Sequence, residues 1–330
     1  MLEERLRLLV KVAHLHYIDG MNQKEIAARL QLSRPMVSRM IAEAREQGLI
    51  RIAIAYPPSG ALDLERELEE TYGVRQAIVV RADGDISTAA SAQVPEAAAT
   101  YLLRVVGPND VLGVSTGTAI ARAIERLPQQ RERCVRLVVQ LFGSMGLPAQ
   151  SLYDPEETVR KVAYLLQGDF VRMPVPSVLE SRDIAHALRS DTRIQELLAI
   201  SRTCNVALVG IGALTPSSSL LLTRRLTPEQ AMRYVAMGAV GDICGRIYDS
   251  EGRPFPTSID DQIIGITLED LRRIPLVIAV AYGREKARAI YGSLRGGLVD
   301  TLITDAETAA VVIGYARESS ALLAGPSMAH

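Results

Sequence analysis

The stretch QKEIAARLQLSRPMVSRMIAEAREQ, residues 23–47, has the spacing of two short helices joined by a tight turn. Ile26, Ala27 and Leu30 put apolar groups on one face of the first helix, and Ala27 is small where two helices cross closely. Leu32 carries the apolar set across the turn, and Ser33 is placed to cap the second helix. Pro35 falls in that helix's first turn, where its missing N–H costs nothing. Val37, Met40, Ile41 and Ala44 form the buried stripe, which leaves Arg34, Met36, Ser38, Arg39 and Arg45 on or near exposed faces. A helix that presents Arg and Ser from its N-terminal half suits base edges and phosphates, so the pair is expected to be a DNA-binding helix-turn-helix. The candidate DNA contacts are Gln23, Lys24, Ser33, Arg34, Met36, Ser38, Arg39 and Arg45. An antiparallel helix pair inside a larger fold is the plainer alternative.

The flanks favour the DNA-binding reading. Upstream, Leu6, Leu9, Val10, Ala13 and Tyr17 read as the stripe of a supporting helix. Downstream, Gly48-Leu49 ends the second helix, and Ile50-Arg51-Ile52-Ala53-Ile54-Ala55 alternates like the strand of a small wing. At the turn stands Gln31, where glycine is usual. A left-handed backbone there costs a non-glycine residue about 1 kcal/mol.

Charge divides along the same line. Residues 1–60 hold nine Lys or Arg against six Asp or Glu, and the other 270 hold 28 against 32. A mildly basic head on an acidic body suits contact with phosphate backbone at one end only. With 48% hydrophobic and 23% charged residues the 330-residue chain is globular, and it is long enough for two or more domains. No apolar run reaches the roughly 18–20 residues that span a bilayer. Charges at Glu3, Glu4, Arg5 and Arg7 break any secretory pattern, so a cytoplasmic location is expected. Cys134, Cys204 and Cys244 lie far apart in apolar runs and read as small buried hydrophobes. The four histidines have no metal-ligand spacing with them, so neither a metal nor a cofactor is expected.

Tyr56-Pro57-Pro58-Ser59-Gly60 reads as a linker, which divides the chain into a head (1–55), a linker (56–60) and a body (61–330). After an acidic amphipathic helix at 61–72, buried strands alternate with helices. Strands are predicted at Gln76–Val80, Asp110–Ser115, Val135–Leu141, Phe170–Met173, Val206–Ile211, Leu276–Ala281 and Leu298–Thr304. Helices are predicted at Ser87–Val106, Thr118–Arg126, Pro155–Leu166, Ser181–Ser201, Thr227–Tyr234, Glu285–Leu294 and Ala306–Tyr315, with a loose tail over the last dozen residues. That alternation means an α/β fold with a mainly parallel sheet covered on both faces.

In such a fold ligands bind beyond the carboxyl ends of the strands. Ser115-Thr116-Gly117-Thr118 offers N–H and O–H donors to an anion at a helix N-terminus, although the same residues serve equally well as caps. Gln140-Leu141-Phe142-Gly143-Ser144-Met145-Gly146 and Val209-Gly210-Ile211-Gly212-Ala213 are two more strand ends that open into glycines. Lys286 opposes the dipole of the helix it begins unless an anion lies there, and a solvated surface lysine is the alternative. Asp242, between glycines, either accepts from sugar hydroxyls or is bonded to loop amides. Asp260, Asp261 and Asp305 are weaker candidates of that kind. His186 lies in a polar helix, and no nucleophile-plus-base pair is legible.

Taken together these residues resemble the SorC family of sugar-binding bacterial regulators, which are DeoR-like. The resemblance runs from Tyr17–Ile50 through Val138-Val139-Gln140, Ala207–Gly212, Gly241-Asp242 to Tyr248-Asp249, and Gly296-Gly297 to Thr304-Asp305. It departs at Gln31 and at Gly143-Ser144, where two glycines are common. The resemblance implies a winged helix-turn-helix and a Rossmann-like effector domain similar to sugar-phosphate isomerases and deaminases. It also implies a homotetramer, or at least a dimer, on paired operator sites, without catalysis. By the same resemblance a phosphate would sit on Ser115, Thr116, Gly117, Thr118 and Lys286, and the sugar near Gln140, Gly143, Ser144 and Asp242. The expected function is transcription regulation, as a repressor or activator whose operator binding follows a sugar or sugar phosphate. The rivals are a sugar-phosphate isomerase or deaminase-like enzyme with an appended DNA-binding domain, and a structural DNA-binding protein without a ligand.

Overall fold

A computed structural model describes residues 2–50, 61–81, 86–144, 154–216, 218–222 and 226–324. The chain divides into two compact units, Met1–Pro57 and Pro58–His330. The strand expected at 50–55 and the linker at 56–60 lie almost wholly outside the described residues.

The first unit packs three helices, α1 (Leu2–Tyr17), α2 (Gln23–Leu30) and α3 (Arg34–Glu46). Local chemistry sets their ends. Asn22 accepts from the N–H groups of Lys24 and Glu25 at 3.0 and 3.1 Å, while the Glu25 carboxylate accepts from the Asn22 N–H at 2.8 Å. This reciprocal box starts α2. Gln31 closes it in the left-handed region at φ 55°, and Ser33 caps α3 by accepting from Met36 N–H at 3.3 Å. Ile26, Val37, Met40, Ile41 and Ala44 meet Leu9, Val12, Ala13 and Leu15 of α1 in one core. The stripe of α1 is therefore turned from the expected one. Leu6 and Val10 are 43% and 49% exposed, because Leu9, Val12 and Ala13 already fill the helix crossing. An Arg5–Glu43 pair, with bonds of 3.1 and 2.9 Å, ties α1 to α3.

The second unit is built on a parallel sheet of seven strands: β1 (Gln76–Val80), β2 (Val111–Val114), β3 (Leu137–Gln140), β4 (Asp169–Val171), β5 (Val206–Gly210), β8 (Leu276–Val280) and β9 (Thr301–Asp305). A separate antiparallel hairpin joins β6 (Ala239–Ile243) to β7 (Arg246–Asp249). The order across the large sheet is β1-β9-β8-β5-β2-β3-β4. Successive strand residues alternate between two cores. Leu112, Val114, Leu208, Ile278 and Val280 face one side, where they meet α5 (Ile86–Val105), α6 (Thr118–Glu125) and α7 (Pro155–Leu166). Val111, Val139, Val209, Val277 and Ala279 face the other. There they meet α4 (Leu62–Tyr72), α13 (Ala287–Arg295) and α14 (Ala306–Ala324). Burial on both faces is why these strands read as continuous Val/Ile/Leu runs.

Two further expectations are corrected. The helix expected over 181–201 is two, α8 (Arg182–Ser190) and α9 (Thr192–Ser201). Asp191 breaks it with an extended backbone and caps α9 through Arg193 N–H at 2.9 Å. The expected loose tail is helical to Ala324, and residues 325–330 lie outside the described range. The β6–β7 hairpin, the short helices α10 (Ser219–Leu222) and α12 (Leu268–Arg272), and the full extent of α11 (Pro228–Ala236) were not legible, since strands of four or five residues interrupted by glycine carry little periodic signal.

Candidate functional sites

From β2 the chain moves outward to β3 and β4, whereas β5, β8 and β9 build the sheet in the other direction. The strand order thus reverses between β2 and β5, which leaves a crevice beyond their carboxyl ends. A cavity of about 910 Å³, part of it open to solvent, occupies this place. Thr116–Ala119 after β2 and Gly210–Ala213 at the end of β5 form its floor, and Asp242, Cys244, Gly245, Glu285 and Lys286 close one flank.

The positive end of α6 opens into this cavity. Gly117 takes φ 134° at its N-cap, and no side chain caps the helix. Lys286 ends a 3-10 turn over Arg284–Lys286 and stands at the N-cap of α13, one step before the helical turn expected for it. Its ammonium lies 5.9 Å from the Tyr282 ring centroid, and among the described residues no carboxylate approaches within the 4.0 Å of an ion pair. Burial pushes its pKa down, opposed by the charges of Glu285 and Asp242. An uncapped helix N-terminus and a desolvated ammonium lining the same cavity have the chemistry to attract an anion.

Asp242 is 6% exposed on β6. Its backbone exchanges two 2.9 Å hydrogen bonds with Gly212, and its Oδ2 accepts from Gly245 N–H at 3.2 Å. Among the described residues Oδ1, which is buried, has no hydrogen-bond partner. A Cβ on Gly212 would stand 2.1 Å from Oδ1, so any side chain there would displace the Asp242 carboxylate. Burial pushes the Asp242 carboxyl up to about 6, against the lowering effects of the Gly245 N–H and the Lys286 charge. Cys244 lines the cavity at φ 52°, and burial followed by the Asp242 charge pushes its thiol up, which keeps it unreactive.

Of the residues expected at the site, the cavity brings together Thr116, Gly117, Thr118, Asp242 and Lys286. Ser115, Gln140, Gly143 and Ser144 are not among its lining residues. Ser115, 2% exposed, is turned into the sheet and accepts from Gly210 N–H at 3.0 Å, which stitches β2 to β5. Gln140 is a brace: its Nε2 donates to Phe142 O at 2.8 Å, and its Oε1 accepts from Met173 N–H at 3.1 Å. Gly143 lies against the chain at 175–177, where a Cβ would meet Val175 O at 2.4 Å. Ser144 exchanges backbone bonds with Val175 and Ser177 at 2.7 and 2.8 Å. Phe142, Ser177, Thr215 and Ser218 line the cavity and were missed. Ser177 follows Met-Pro-Val-Pro rather than a glycine-bearing strand end, so no local signal marks it.

On the first unit, Lys24, Ser33, Arg34, Ser38 and Arg39 are exposed, Met36 is 42% exposed and Gln23 is half-buried. Arg39 lies opposite the stripe of Val37, Met40, Ile41 and Ala44. Arg45 is the exception. Its Nε donates to Tyr17 Oη at 2.8 Å and its guanidinium stacks 5.6 Å from that ring, so it is engaged with α1. Ser33 likewise spends its hydroxyl on the cap of α3.

Among the described residues no group of three or more His, Cys, Asp or Glu side chains could hold a metal, and no helix is long and apolar enough to cross a membrane. The Sugar-bind family model, which describes a sugar-binding domain, matches residues 56–314. The sorbitol operon regulator of Klebsiella pneumoniae is 29% identical over 308 residues, 93% of this chain and 98% of its own. The deoxyribonucleoside regulator of Bacillus subtilis is 30% identical over 310 residues, 94% of this chain and 98% of its own. The crystal structure of full-length SorC from Klebsiella pneumoniae superposes with a TM-score of 0.72 at 28% identity, over 93% of this chain and 98% of that one.

Proposed function

We infer the function from one premise: this chain belongs to the Sugar-bind family, the sugar-binding domains of SorC-like transcriptional regulators. It is a transcriptional regulator with a sugar-binding domain. We propose that α2 and α3 act as a helix-turn-helix on operator DNA, that the head at 1–55 and the body at 61–330 are separate domains, and that the Rossmann-like body binds a sugar phosphate. The observation that carries the effector reading is the pairing of the uncapped α6 N-terminus with Lys286 in the crevice between β2 and β5. The phosphate occupies that seat, and the sugar extends past Asp242. Arg34 and Arg39 are the base readers, with Gln23, Lys24 and Ser38 on phosphates. One recognition helix covers a half-site, so the working unit is a dimer or tetramer.

The effector acts by linkage. It shifts operator affinity only by the difference between its affinities for the DNA-competent and DNA-released conformations. Catalysis is not part of this reading, which places the protein in the cytoplasm with its operator. The deciding experiment is a thermal-shift screen of free sugars against their phosphates, followed by operator titration with and without the hits. Binding to the folded state raises stability by mass action. Stabilisation by free sugars alone would overturn the phosphate assignment. Turnover of a sugar phosphate by the pure protein would return the enzyme reading.

A further inference from the structure

Among the described residues, three buried polar atoms without partners belong to side chains lining this one cavity: Thr116 Oγ1, Ser177 Oγ and Asp242 Oδ1. Leaving a buried polar atom unpaired is costly, so three at one cavity need a reason. Two belong to the seat already described, Thr116 at the helix terminus and Asp242 beside Gly212 and Lys286. Ser177 belongs to neither.

Ser177 is 1% exposed, and its backbone is fixed on both sides. Its N–H donates to Ser144 O at 2.8 Å and its carbonyl accepts from Ile264 N–H at 2.9 Å. The absence of a side chain at Gly143 admits the Ser177 Cα, which lies 2.7 Å from where a Cβ would stand. Ser177 therefore stands beside the end of β3, while Lys286 follows β8. Two strands, β5 and β2, lie between β8 and β3. Three strand spacings amount to about 14 Å. Lys286 and Ser177 line the same cavity from strand ends three places apart, so a ligand seated at Lys286 meets Ser177 only if its carbon chain extends across the crevice. A serine hydroxyl turns about a single bond, so its Oγ can swing from the buried position into the cavity.

We propose that Ser177 is a specificity-determining residue that hydrogen-bonds a hydroxyl at the end of the effector remote from the phosphate, selecting pentose or hexose phosphates over triose phosphates. The inference rests on the sugar-phosphate reading given above. Asp242 accepts from a hydroxyl along the way, and Ser177 reads the chain's far end. Selection by length follows because a triose phosphate seated at Lys286 leaves the Ser177 hydroxyl unpaired and keeps the cost of its burial.

Calorimetric titration of the wild type and Ser177→Ala in the full chain tests this with ribose 5-phosphate, glucose 6-phosphate, fructose 6-phosphate and sorbitol 6-phosphate, against glycerol 3-phosphate, inorganic phosphate and the free sugars ribose, glucose, fructose and sorbitol. The expected result is a three- to tenfold loss, about that of one neutral hydrogen bond, for the five- or six-carbon ligand that binds best. Glycerol 3-phosphate and inorganic phosphate bind unchanged, and the melting temperature of the free protein holds or rises because an unpaired hydroxyl is gone. Equal losses for long and short ligands, or no loss for any, overturn the role of Ser177. Should the wild type bind only an unphosphorylated sugar and Ser177→Ala weaken it, the phosphate assignment falls while the hydroxyl contact stands. Should the wild type bind none of these ligands, phosphorylated or free, both fall together.

Discussion

Replacing Asp242 by Asn removes a buried charge while keeping an oxygen for the Gly245 N–H, and the consequence is calculable. In the folded chain burial raises the Asp242 carboxyl to about 6. Unfolded, it returns to about 3.9. The folded state thus holds the proton more tightly. The wild type loses stability as pH rises from about 3.9 through about 6, and the loss is complete above that. At about 1.36 kcal/mol per pKa unit the full penalty is about 3 kcal/mol. The Asn amide does not titrate. It places an NH2 where Oδ1 now has no partner, a fixed cost that is the same at every pH. The difference in unfolding free energy between Asp242→Asn and wild type should therefore shift in the variant's favour by about 2–3 kcal/mol between pH 4 and pH 7.5. Urea unfolding of the full chain at several pH values measures this, because all other titrating groups are common to both proteins and cancel. At a midpoint slope of about 2–4 °C per kcal/mol, the melting temperature difference should move by roughly 4–12 °C over the same range. A difference that stays flat from pH 4 to pH 7.5 would refute the argument, since the carboxyl would then carry no desolvation penalty. Lys286→Ala provides an internal control. Its charge lowers the Asp242 pKa, so its removal should move the wild-type transition to higher pH.

Four further outcomes are expected. Lys286→Ala should weaken a phosphorylated effector by about 1.5–3 kcal/mol, read by titration calorimetry, and leave operator affinity without effector nearly unchanged; equal weakening of the free sugar would make Lys286 a fold residue. Arg34→Ala and Arg39→Ala should each cost about 1–3 kcal/mol of specific operator binding by fluorescence anisotropy, with effector binding intact. Arg45→Ala should act differently, lowering the stability of the first unit through loss of the Tyr17 contact; a loss confined to operator affinity would restore Arg45 as a DNA contact. Light scattering of the full chain at micromolar concentration should report a dimer or larger, and a strict monomer would contradict the paired half-site reading.

The two units were not equally legible from sequence. In the first, what decides structure is local. Asn22 with Glu25, Gln31 at the turn, Ser33 with Pro35, and the stripe of Val37, Met40, Ile41 and Ala44 act within one or two helical turns. A linear reading finds them, and it erred where α1 packs from a distance, leaving Leu6 and Val10 exposed and engaging Arg45 through Tyr17. In the second unit, apolar runs located all seven strands of the large sheet. Six are largely buried, which leaves a mark on each separately. The edge strand β4 showed only through Phe170 and Val171, although Asp169 and Phe170 are exposed.

The order of those strands and the direction of each side chain depend on contacts between residues far apart in the chain, and there the sequence alone stops. Ser115 and Thr116 are neighbours of the same chemical type after the same strand. One bonds to Gly210 inside the sheet and the other faces the cavity, because successive residues leave a strand on opposite sides. Gln140 braces Met173 across 33 residues, and Gly143 clears space for the chain at 175–177. Asp242, 44 positions before Lys286, feels that lysine's charge only after β6 has paired with Gly212. Residue types, caps and apolar periodicity were therefore written in the sequence. Which polar groups share one cavity was decided by packing, since strand order and side-chain direction emerge only when distant segments exclude water together.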